Sequence, residues 1–538
     1  MTAICVPIFV KGGVNLEETI DAAEDALEDV RGGGIIELRC DSATPRQMLE
    51  AMDFAHLPVI VTVRPKWEGG FCEKGDEYRV GLWEAAMEAG AEYVDVELVG
   101  WEKNKELRDR VCEAAEKHGT KIILSNHSFD GRPKDLDARL ARLRRVKQAD
   151  VLKIAWKAES VIDAVDALML GAKLQKEDGR PAVVLAMGEE GLISRLLAAK
   201  FGAPWAFAAL AEGAESAPGQ PSVADLRDIY RWDAHKEDMQ VFGVAGWPVG
   251  HSLSPHIHNA GFGAINRSGV YVPLAIKAEY AAFAAAVDAL RAATNIRGIS
   301  VTIPHKENAF RYVSEKSGLI DALSKRIGVI NTMEWTKDGV VGFNSDYAGA
   351  LDALASAWTG NRTDLDGKRV VVLGAGGAAR AIVAGLVEHG ASVVIYNRTL
   401  EKAQALAADF GASSRGLTPP TGGEAATHGR VSAQPWEKLS EATCDAYINC
   451  TPLGMFPHVD ASPVDFDPAW TAETVVFDTV YNPVMTKLLK LAQRKGAKIV
   501  PGTEMFVRQA AVQFRAFTER EAPIEVFRAA LTQALGSA

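Results

Sequence analysis

Eight short apolar runs alternate with charged stretches over the first 225 residues of the chain. Each run has the length of a strand, and intervening stretches such as LEETIDAAEDALEDV have the composition of a surface helix. Strand and helix alternating eight times over this length predicts a (β/α)8 barrel within an overall α/β fold. The runs begin at Ala3, Ile35, Pro58, Tyr93, Lys121, Val151, Ala182 and Trp205.

Polar side chains collect near one end of several of these runs. Barrel enzymes carry their chemistry at the C-terminal ends of the strands. Strands that are apolar except near one end therefore indicate a catalytic mouth. The polar side chains in question are Glu37, Arg39, Arg64, His127 and Lys153.

Lys153 is the most informative of them, because it interrupts the apolar run VLKIAW. One interpretation is a half-exposed strand whose lysine extends to the surface. The other is a desolvated amine that attacks a carbonyl, with cationic arginines favouring its neutral form and His127 exchanging protons. This second reading suits an imine with a ketone, followed by proton abstraction next to the imine carbon. Arg39, Arg64 and Arg195 would bind a carboxylate or a hydroxyl-rich substrate.

Bulk properties restrict the remaining classes of function. At 538 residues the chain is too long for one core, and no apolar run approaches the roughly 20 residues of a membrane span. The net charge of −11 gives no basic footprint for nucleic acid. Six cysteines without CxxC spacing suggest free thiols. The start MTAICVPIFVKGG resembles no targeting peptide, so we expect a cytoplasmic enzyme, or a plastid one only if a transit peptide was removed.

A second region begins after the polar stretch around residues 225–240. Beyond a mixed α/β segment, the sequence RVVVLGAGGAARAIVAGLVEHGASVVIYNRT reads as strand, Gly-rich turn, helix and strand. This is the layout of a dinucleotide-binding Rossmann unit. We therefore expect a barrel at 1–230, a substrate-binding domain at 240–358, a cofactor domain at 359–500 and C-terminal helices at 501–538 that return to the substrate domain.

The Gly-rich turn and the end of the next strand specify the cofactor. The glycines allow a pyrophosphate to approach a helix N-terminus closely. An NAD-preferring fold usually has an acidic residue at the end of the next strand, but here an arginine favours a 2′-phosphate, so we expect NADP(H). The turn comprises Gly374, Ala375, Gly376, Gly377 and Ala378, and the strand end comprises Asn397, Arg398 and Thr399.

Lys306 and Asp346 each follow a strand-like segment, in GISVTIPHK and GFNSDYAG. A lysine and an aspartate in contact can transfer a proton to an alkoxide as hydride arrives. An ordinary salt bridge is the alternative.

The segment HSLSPHIHN contains His251, His256 and His258, whose spacing matches no HExxH or comparable zinc pattern, so we expect no metal. Ser252 and Ser254 are short hydroxyls ahead of a predicted helix, where they can bind a carboxylate.

Six ordered motifs give residues 3–225 a specific resemblance. ELRCD, TVRPKWEGG, SNHSFDG, ADVLKIAW, MGEEGLISR and SAPGQ resemble type I 3-dehydroquinate dehydratase. The resemblance implies that Lys153 forms a Schiff base and that His127 is its acid/base, oriented by Glu68. It also implies that the substrate's hydroxyls are held by Glu37, Arg39 and Arg64. The substrate's carboxylate would be held by Arg195, together with Ser216 and Gln220 from a loop that closes over the ligand.

The chain from about Val241 onward resembles shikimate dehydrogenase, in HSLSPHIHN, GISVTIPHK, GVINT, GFNSDYAG, GAGGAARA, YNRT, INCTPLGM and GTEMFVRQA. The resemblance implies that Lys306 and Asp346 are the catalytic pair. It implies substrate contacts by Ser252, Ser254, Thr302, Asn331, Gln509 and Tyr481, and cofactor contacts by Thr451, Met455 and Gly502. Three departures, Ser300, Ser345 and Cys450, are small changes that affect fine specificity more than activity.

Together the two halves resemble the bifunctional dehydratase/dehydrogenase family. The first half would convert 3-dehydroquinate to 3-dehydroshikimate, and the second would reduce that ketone to shikimate with NADPH. Two alternatives stay open. In one, an aldolase-like lyase for another keto acid is joined to a quinate dehydrogenase. In the other, one half is a non-catalytic module that only binds such ligands. The sequence leaves the oligomeric state open.

Overall fold

The computed structural model describes residues 1–411 and 431–536, which form two compact units. The first unit comprises Met1–Pro255 and Asn266–Ile296, and the second comprises His256–Ile265 and Arg297 onward. The predicted domain boundaries stay predictions. Residues 412–430 of the predicted cofactor domain, and residues 537–538, lie outside the described residues.

An eight-stranded parallel sheet forms most of the first unit and confirms the predicted barrel, which is nearly closed. The strand order is β7-β6-β5-β4-β3-β2-β1-β8, so each strand from β1 to β6 pairs with the next one along the chain, and β8 pairs with β1. The strands are β1 Ala3–Phe9, β2 Gly34–Arg39, β3 Val59–Thr62, β4 Tyr93–Glu97, β5 Lys121–Ser128, β6 Val151–Lys157, β7 Ala182–Met187 and β8 Trp205–Phe207.

Helices connect these strands, as the alternating pattern predicted. They are α1 Leu16–Leu27, α2 Pro45–Phe54, α3 Asp76–Glu88, α4 Leu98–Lys103, α5 Lys105–His118, α6 Leu136–Arg145, α7 Val161–Asp178 and α8 Ile193–Leu196. Their ends follow local chemistry. Thr44 and Gln47 form a reciprocal capping box ahead of α2, with Pro45 as the first helical residue. Asn104 caps α5, which ends at Gly119 in the left-handed region.

Inward-facing residues fill the barrel in layers. An apolar layer includes Ile35, Ile60, Tyr93, Ile123 and Val151, all packed in one core cluster. Because side chains alternate along a strand, the residue two positions further on faces the interior as well. Those next positions hold the polar layer: Glu37, Thr62, Asp95, Ser125 and Lys153.

The first unit continues into the parallel pair β9 Gln240–Gly246 and β10 Gly269–Ala275, followed by α10 Tyr280–Ala293. Helix α9, Ser254–Ala264, lies between these strands in the chain.

The second unit begins with a mixed sheet segment, in which β11 pairs antiparallel with β13, β13 antiparallel with β14, and β14 parallel with β12. Its elements are β11 Ile296–Val301, α11 Lys306–Glu315, β12 Leu319–Ile320, α12 Ala322–Ile327, β13 Thr332–Thr336, β14 Gly339–Phe343 and α13 Ser345–Ala355.

A six-stranded parallel sheet completes the second unit, in the order β17-β16-β15-β18-β19-β20. This is a doubly wound sheet, as the βαβ pattern predicted, and β15 and β18 are its adjacent central strands. The elements are β15 Arg369–Leu373, α14 Gly377–Glu388, β16 Ser392–Asn397, α15 Leu400–Gly411, β17 Val431–Pro435, β18 Ala446–Asn449, β19 Val475–Asp478, α16 Lys487–Arg494, β20 Lys498–Val500, α17 Gly502–Thr518 and α18 Ile524–Gly536.

Three further observations concern membranes, metals and thiols. None of the helices within the described ranges has the length and apolar character needed to cross a lipid bilayer. In the same residues, no cluster of three or more His, Cys, Asp or Glu side chains is arranged to hold a metal ion. All six cysteines are free thiols.

Candidate active sites

The barrel mouth encloses a cavity of about 270 Å³. Every residue that the sequence predicted for the first site lines it, although these residues come from seven different segments. They are Glu37, Arg39, Arg64, Glu68, His127, Lys153, Arg195, Ser216 and Gln220.

Lys153 lies in the polar layer of the barrel, and its side chain is only 7 % exposed. Its Nζ is 2.8 Å from Oδ2 of Asp95 and 3.5 Å from Oε1 of Glu37, and it lies 4.5 Å from the centre of the Phe207 ring. The sequence argument considered only cationic neighbours for this amine. The structure adds two carboxylates, because Glu37 and Asp95 occupy the same inward layer on β2 and β4.

Asp95 is the residue of this site that the sequence analysis missed. Its polar position in the run YVDVEL resembles the alternation of any half-exposed strand. The available signal was its place two residues after Tyr93, which puts it in the polar layer with Lys153.

His127 is held in place by Glu68. Oε1 of Glu68 accepts a hydrogen bond from the His127 backbone N–H at 2.9 Å and lies 3.0 Å from Nδ1 of the ring. Glu68 ends a short 3₁₀ helix, Lys66–Glu68, and the following Gly69 has a φ of +77°, where a Cβ would meet the Phe129 ring at 2.1 Å. A glycine is therefore required at this turn.

The electrostatics favour a neutral imidazole. Burial, together with the charges of Arg64 and Lys153, lowers the pKa of His127 well below its ordinary value. Burial raises the pKa of Glu68 to about 8, although the charge of Arg64 opposes this. A neutral imidazole fixed through Nδ1 leaves its other ring nitrogen available for proton transfer.

Arg195 is buried without a carboxylate partner among the described residues. Its Nη1 donates to the Ala186 carbonyl at 2.9 Å, and its buried Nε has no hydrogen-bond partner. Burial lowers the pKa of this guanidinium to about 10. Because a buried unpaired cation is costly, the arrangement is suited to an anionic ligand.

A loop over the cavity brings Ser216 and Gln220 together. The Ser216 N–H donates to Oε1 of Gln220 at 2.8 Å, and its hydroxyl donates to the same oxygen at 3.2 Å. The Gly188 N–H donates to the Pro218 carbonyl at 3.0 Å, which ties this loop to the segment that carries Arg195.

The second candidate site lies in the second unit, where Lys306 begins α11 and Asp346 lies in the first turn of α13. Lys306 Nζ donates to Oδ2 of Asp346. Nδ2 of Asn331 donates to Oδ1 of the same carboxylate at 2.9 Å. The Asp346 N–H donates to the Asn344 side chain, and the helix N-terminus favours a carboxylate at this position.

A buried network supports this pair. The Ser345 hydroxyl lies 3.1 Å from Oδ1 of Asn331 and 3.2 Å from Oε1 of Gln509, so helix α17 contributes to the site. A Cβ on Gly349 of α13 would meet the Gln509 backbone N at 2.6 Å, which shows how closely α13 and α17 pack. The departure at Ser345 therefore retains a hydroxyl that is used.

The other predicted substrate residues are more dispersed. Thr302 directly follows β11 and is half-buried. The half-exposed Tyr481 packs its ring against Phe506, with centroids 5.1 Å apart. Ser252 and Ser254 belong to the first unit, where the Ser254 N–H donates to the Ser252 hydroxyl at 3.3 Å at the start of α9.

The predicted cofactor turn follows β15, next to the segment that follows β18. Gly374 has a φ of +108°, and a Cβ there would lie 3.1 Å from the Cys450 carbonyl oxygen and from the Thr451 side chain. The ideal Cβ positions of Gly376 and Gly377 meet open space, and α14 begins without a side-chain cap. Free amide groups at a helix N-terminus beside a Gly-rich turn fit a pyrophosphate.

The remaining cofactor predictions lie around this sheet edge. Arg398 is exposed after β16, and Asn397 Nδ2 donates to the Thr399 carbonyl at 2.9 Å. Thr451 donates its hydroxyl to Asn449 Oδ1 at 2.6 Å. Met455 is 47 % exposed, and Gly502 begins α17.

The histidines of HSLSPHIHN do not gather around a common point. His258 is fully buried among the rings of Phe514, Phe517 and Phe527, at centroid distances of 5.9–6.3 Å. Burial lowers its pKa to about 3. It is a core histidine.

A buried amine in a barrel mouth and a Lys–Asp pair beside a doubly wound sheet define a two-site α/β enzyme. Family models match each part: type I 3-dehydroquinase over residues 4–237, the shikimate dehydrogenase substrate binding domain over 244–333, shikimate/quinate 5-dehydrogenase over 354–419 and the shikimate 5′-dehydrogenase C-terminal domain over 502–532.

Two relatives support the same assignment. The chain is 36% identical to a bifunctional 3-dehydroquinate dehydratase/shikimate dehydrogenase, chloroplastic, of Arabidopsis thaliana, over 97% of this chain and 83% of that protein. It is 39% identical to a shikimate dehydrogenase (NADP(+)) of Methanothermobacter thermautotrophicus, over 55% of this chain and 96% of that one. A crystal structure of a shikimate dehydrogenase in complex with NADP+ is 33% identical, with a TM-score of 0.48, over 55% of this chain and 96% of that one. The chain belongs to the bifunctional 3-dehydroquinate dehydratase/shikimate dehydrogenase family.

Proposed function

We propose that this chain catalyses two consecutive steps of the shikimate pathway. The barrel removes water from 3-dehydroquinate to give 3-dehydroshikimate, and the second site reduces that ketone to shikimate with NADPH. Family membership supports this pair of activities. The observation that carries the first step is the nearly buried Lys153 amine in a cavity that also holds the unpaired Arg195 guanidinium.

In the barrel, Lys153 attacks the substrate ketone and forms an imine, which requires transient loss of a proton from its amine. His127 is the acid/base, since its imidazole is neutral and Glu68 fixes its orientation. It accepts the proton from the carbon next to the imine and returns a proton to the departing hydroxyl. Water then hydrolyses the imine and releases the product.

The remaining residues that line the cavity bind different groups of the substrate. Arg195 binds the carboxylate, because no carboxylate among the described residues pairs with it. Glu37, Arg39 and Arg64 take the hydroxyls. Ser216 and Gln220 close over the ligand from their loop, which excludes water from the imine.

In the dehydrogenase, the Gly374–Gly377 turn would hold the pyrophosphate of NADPH, which would supply the hydride when bound. Arg398 binds the 2′-phosphate, and Asn397 and Thr399 support it. Thr451, Met455 and Gly502 provide further contacts to the cofactor. The open space at Gly376 and Gly377 fits such a group.

Lys306 gives a proton to the substrate oxygen as the ketone becomes a hydroxyl, and Asp346 orients the ammonium. Asn331 and Gln509 bind the substrate and, with Ser345, fix Asp346. Thr302 and Tyr481 contribute further contacts, and Ser252 and Ser254 bind the carboxylate.

Trapping the imine tests the first step. Borohydride added during turnover of 3-dehydroquinate should reduce the imine and leave a covalent adduct, which mass spectrometry of proteolytic fragments locates on Lys153. The exposed Lys157 on the same strand is the matched control, and Lys157→Ala should leave the adduct unchanged. An adduct elsewhere, or none with an active enzyme, would contradict the mechanism.

A further inference from the structure

Asp95 lies directly beneath the reactive amine and has no exposed surface. Its Oδ2 is 2.8 Å from Lys153 Nζ, and its Oδ1 accepts hydrogen bonds from Arg64 Nη2 at 2.7 Å and from the Ser125 hydroxyl at 2.5 Å. The side chain is 0 % exposed, and it does not line the cavity. It therefore contacts the reacting nitrogen from outside the lining of the cavity.

This carboxylate stays ionised throughout the working range of the enzyme. Burial alone would raise its pKa, but the charges of Arg64 and Lys153 outweigh burial and hold the pKa far below the ordinary aspartate value. Asp95 is consequently a poor proton acceptor, so proton transfer remains the role of His127. Asp95 instead places a fixed negative charge in contact with Nζ of Lys153.

We propose that Asp95 is the counter-ion of the protonated imine on Lys153. The proposal rests on the imine mechanism given above. In the overall step the lysine ammonium and the substrate ketone form a C=N bond, the C–O bond breaks, and one water leaves. The nitrogen then carries one hydrogen and the same single positive charge that it carried before. One fixed carboxylate can thus stabilise both the resting ammonium and the iminium.

The charge matters because only the protonated imine withdraws electrons strongly from the neighbouring carbon. An iminium in a cavity that excludes water would lose its proton more readily without a nearby anion. Asp95 opposes that loss at 2.8 Å, and the Phe207 ring adds a cation–π contact 4.5 Å from Nζ.

Glu37 does not duplicate this role. Its Oε1 lies 3.5 Å from Nζ and also accepts the Thr62 hydroxyl at 2.8 Å, and the residue lines the cavity where the substrate binds. The charged and titratable groups that surround the Asp95–Lys153 pair from the packed strands are Cys5, Glu37, Arg64, Glu68 and His127.

The test compares Asp95→Asn with wild type in the full chain, with 3-dehydroquinate turnover measured from pH 5 to pH 10. Loss of the anion should lower the pKa of the iminium, so the alkaline limb of the kcat profile should move to lower pH by about 1–3 units. Borohydride trapping on Lys153 should become incomplete at alkaline pH while KM changes little.

Two variants separate this role from a structural one. Glu97→Gln removes another buried carboxylate of the same strand, which pairs with Arg79 instead of Lys153, and its alkaline limb should stay at the wild-type pH. Asp95→Glu retains the charge, and its limb should lie within about half a pH unit of wild type; it also keeps the test decisive if Asp95→Asn does not fold.

An alkaline limb unmoved in Asp95→Asn, or moved to lower pH by more than one unit in Asp95→Glu, would overturn the counter-ion role. Wild-type enzyme that turns over without any adduct on Lys153 would instead overturn the imine mechanism itself.

Discussion

The two lysines assigned to chemistry have opposite surroundings. The Lys153 side chain is 7 % exposed and contacts a carboxylate with no exposure, whereas Lys306 is 32 % exposed and its partner Asp346 is 16 % exposed. Lys153 lies in the middle of a strand inside a barrel, and Lys306 is the first residue of a helix.

The difference fits the role proposed for each amine. A nucleophile that forms an imine benefits from a cavity that excludes bulk water, because hydrolysis before the elimination would waste the intermediate and solvent weakens nearby charges. A proton donor must be reprotonated after every turnover, so a half-exposed position suits it. Both candidate sites contain a Lys–Asp pair, and in the proposed mechanisms burial distinguishes the covalent from the proton-transfer role.

The largest effect is expected at the buried lysine. Lys153→Ala should lower dehydratase kcat by at least about 10⁴-fold, because the nucleophile cannot be replaced by a neighbour. Turnover of 3-dehydroshikimate by the same preparation should stay within about twofold of wild type. Lys157→Ala is the matched control on the same strand. Substantial dehydratase activity in Lys153→Ala would erase the proposed contrast between the two lysines.

A smaller loss is expected at the exposed lysine. Lys306→Ala and Asp346→Asn should each lower dehydrogenase kcat by about 10²–10⁴-fold with little change in KM, since general acid catalysis contributes on that scale. The double variant should be scarcely worse than either single one, because the two residues act as a unit. Steady-state kinetics with 3-dehydroshikimate checks this, with exposed Lys325→Ala as control. If the kcat losses of the two single variants added up in the double variant, the two residues would be acting independently.

The cofactor site should show a more modest and selective effect. Arg398→Gln should raise KM for NADPH about tenfold to a hundredfold, because losing a hydrogen bond to a charged group usually weakens binding by that factor. The KM for NADH, which lacks the 2′-phosphate, should stay nearly unchanged. Arg369→Gln, exposed at the opposite end of the central strand β15, is the control. Equal effects on both cofactors would remove the assignment of Arg398 to the 2′-phosphate.

The smallest effect concerns acid stability of the second unit. The pKa of His258 is about 3 in the fold against an ordinary value near 6.5, so the unfolded chain binds its proton first as the pH falls. This stability is present above pH 6.5 and should decline by about 2 kcal/mol between pH 6.5 and pH 5.

Denaturant unfolding at pH 7 and pH 5 measures this decline. His258→Phe should lose most of it, since a phenyl ring suits the cluster of Phe514, Phe517 and Phe527. Exposed His458→Phe should keep the full decline. Parallel behaviour of both variants would show that the acid response arises elsewhere.

The sequence predicts most of the barrel and much less of the contacts within it. Alternating apolar runs define the strands, and parallel strands necessarily bring their C-terminal ends together. The alternation of side chains along the strands also predicts which residues form the polar layer. Asp95 was nevertheless missed, because its position in the sequence resembles that of an ordinary half-exposed strand residue. Its proximity to Lys153 depends on the inward register of two strands that are not adjacent, β4 and β6.

The dehydrogenase pair is harder to predict from its residues. Lys306 and Asp346 are 40 positions apart, and Ser345 meets Gln509 across 164 positions. No local period relates such residues. Their positions after strand-like segments suggested Lys306 and Asp346, but only the resemblance of whole motifs paired them as a catalytic unit. The burial of His258 is also a tertiary property, because its neighbours lie on α17 and α18.

The most direct test of two separate sites acting in order is NADPH oxidation started with 3-dehydroquinate. Wild type should oxidise NADPH, and neither Lys153→Ala nor Lys306→Ala alone should do so at an appreciable rate. Mixing the two variants should restore oxidation, and 3-dehydroshikimate should restore it in Lys153→Ala alone. The account would be contradicted if wild-type protein failed to oxidise NADPH with either substrate. It would also be contradicted if Lys153→Ala still oxidised NADPH from 3-dehydroquinate.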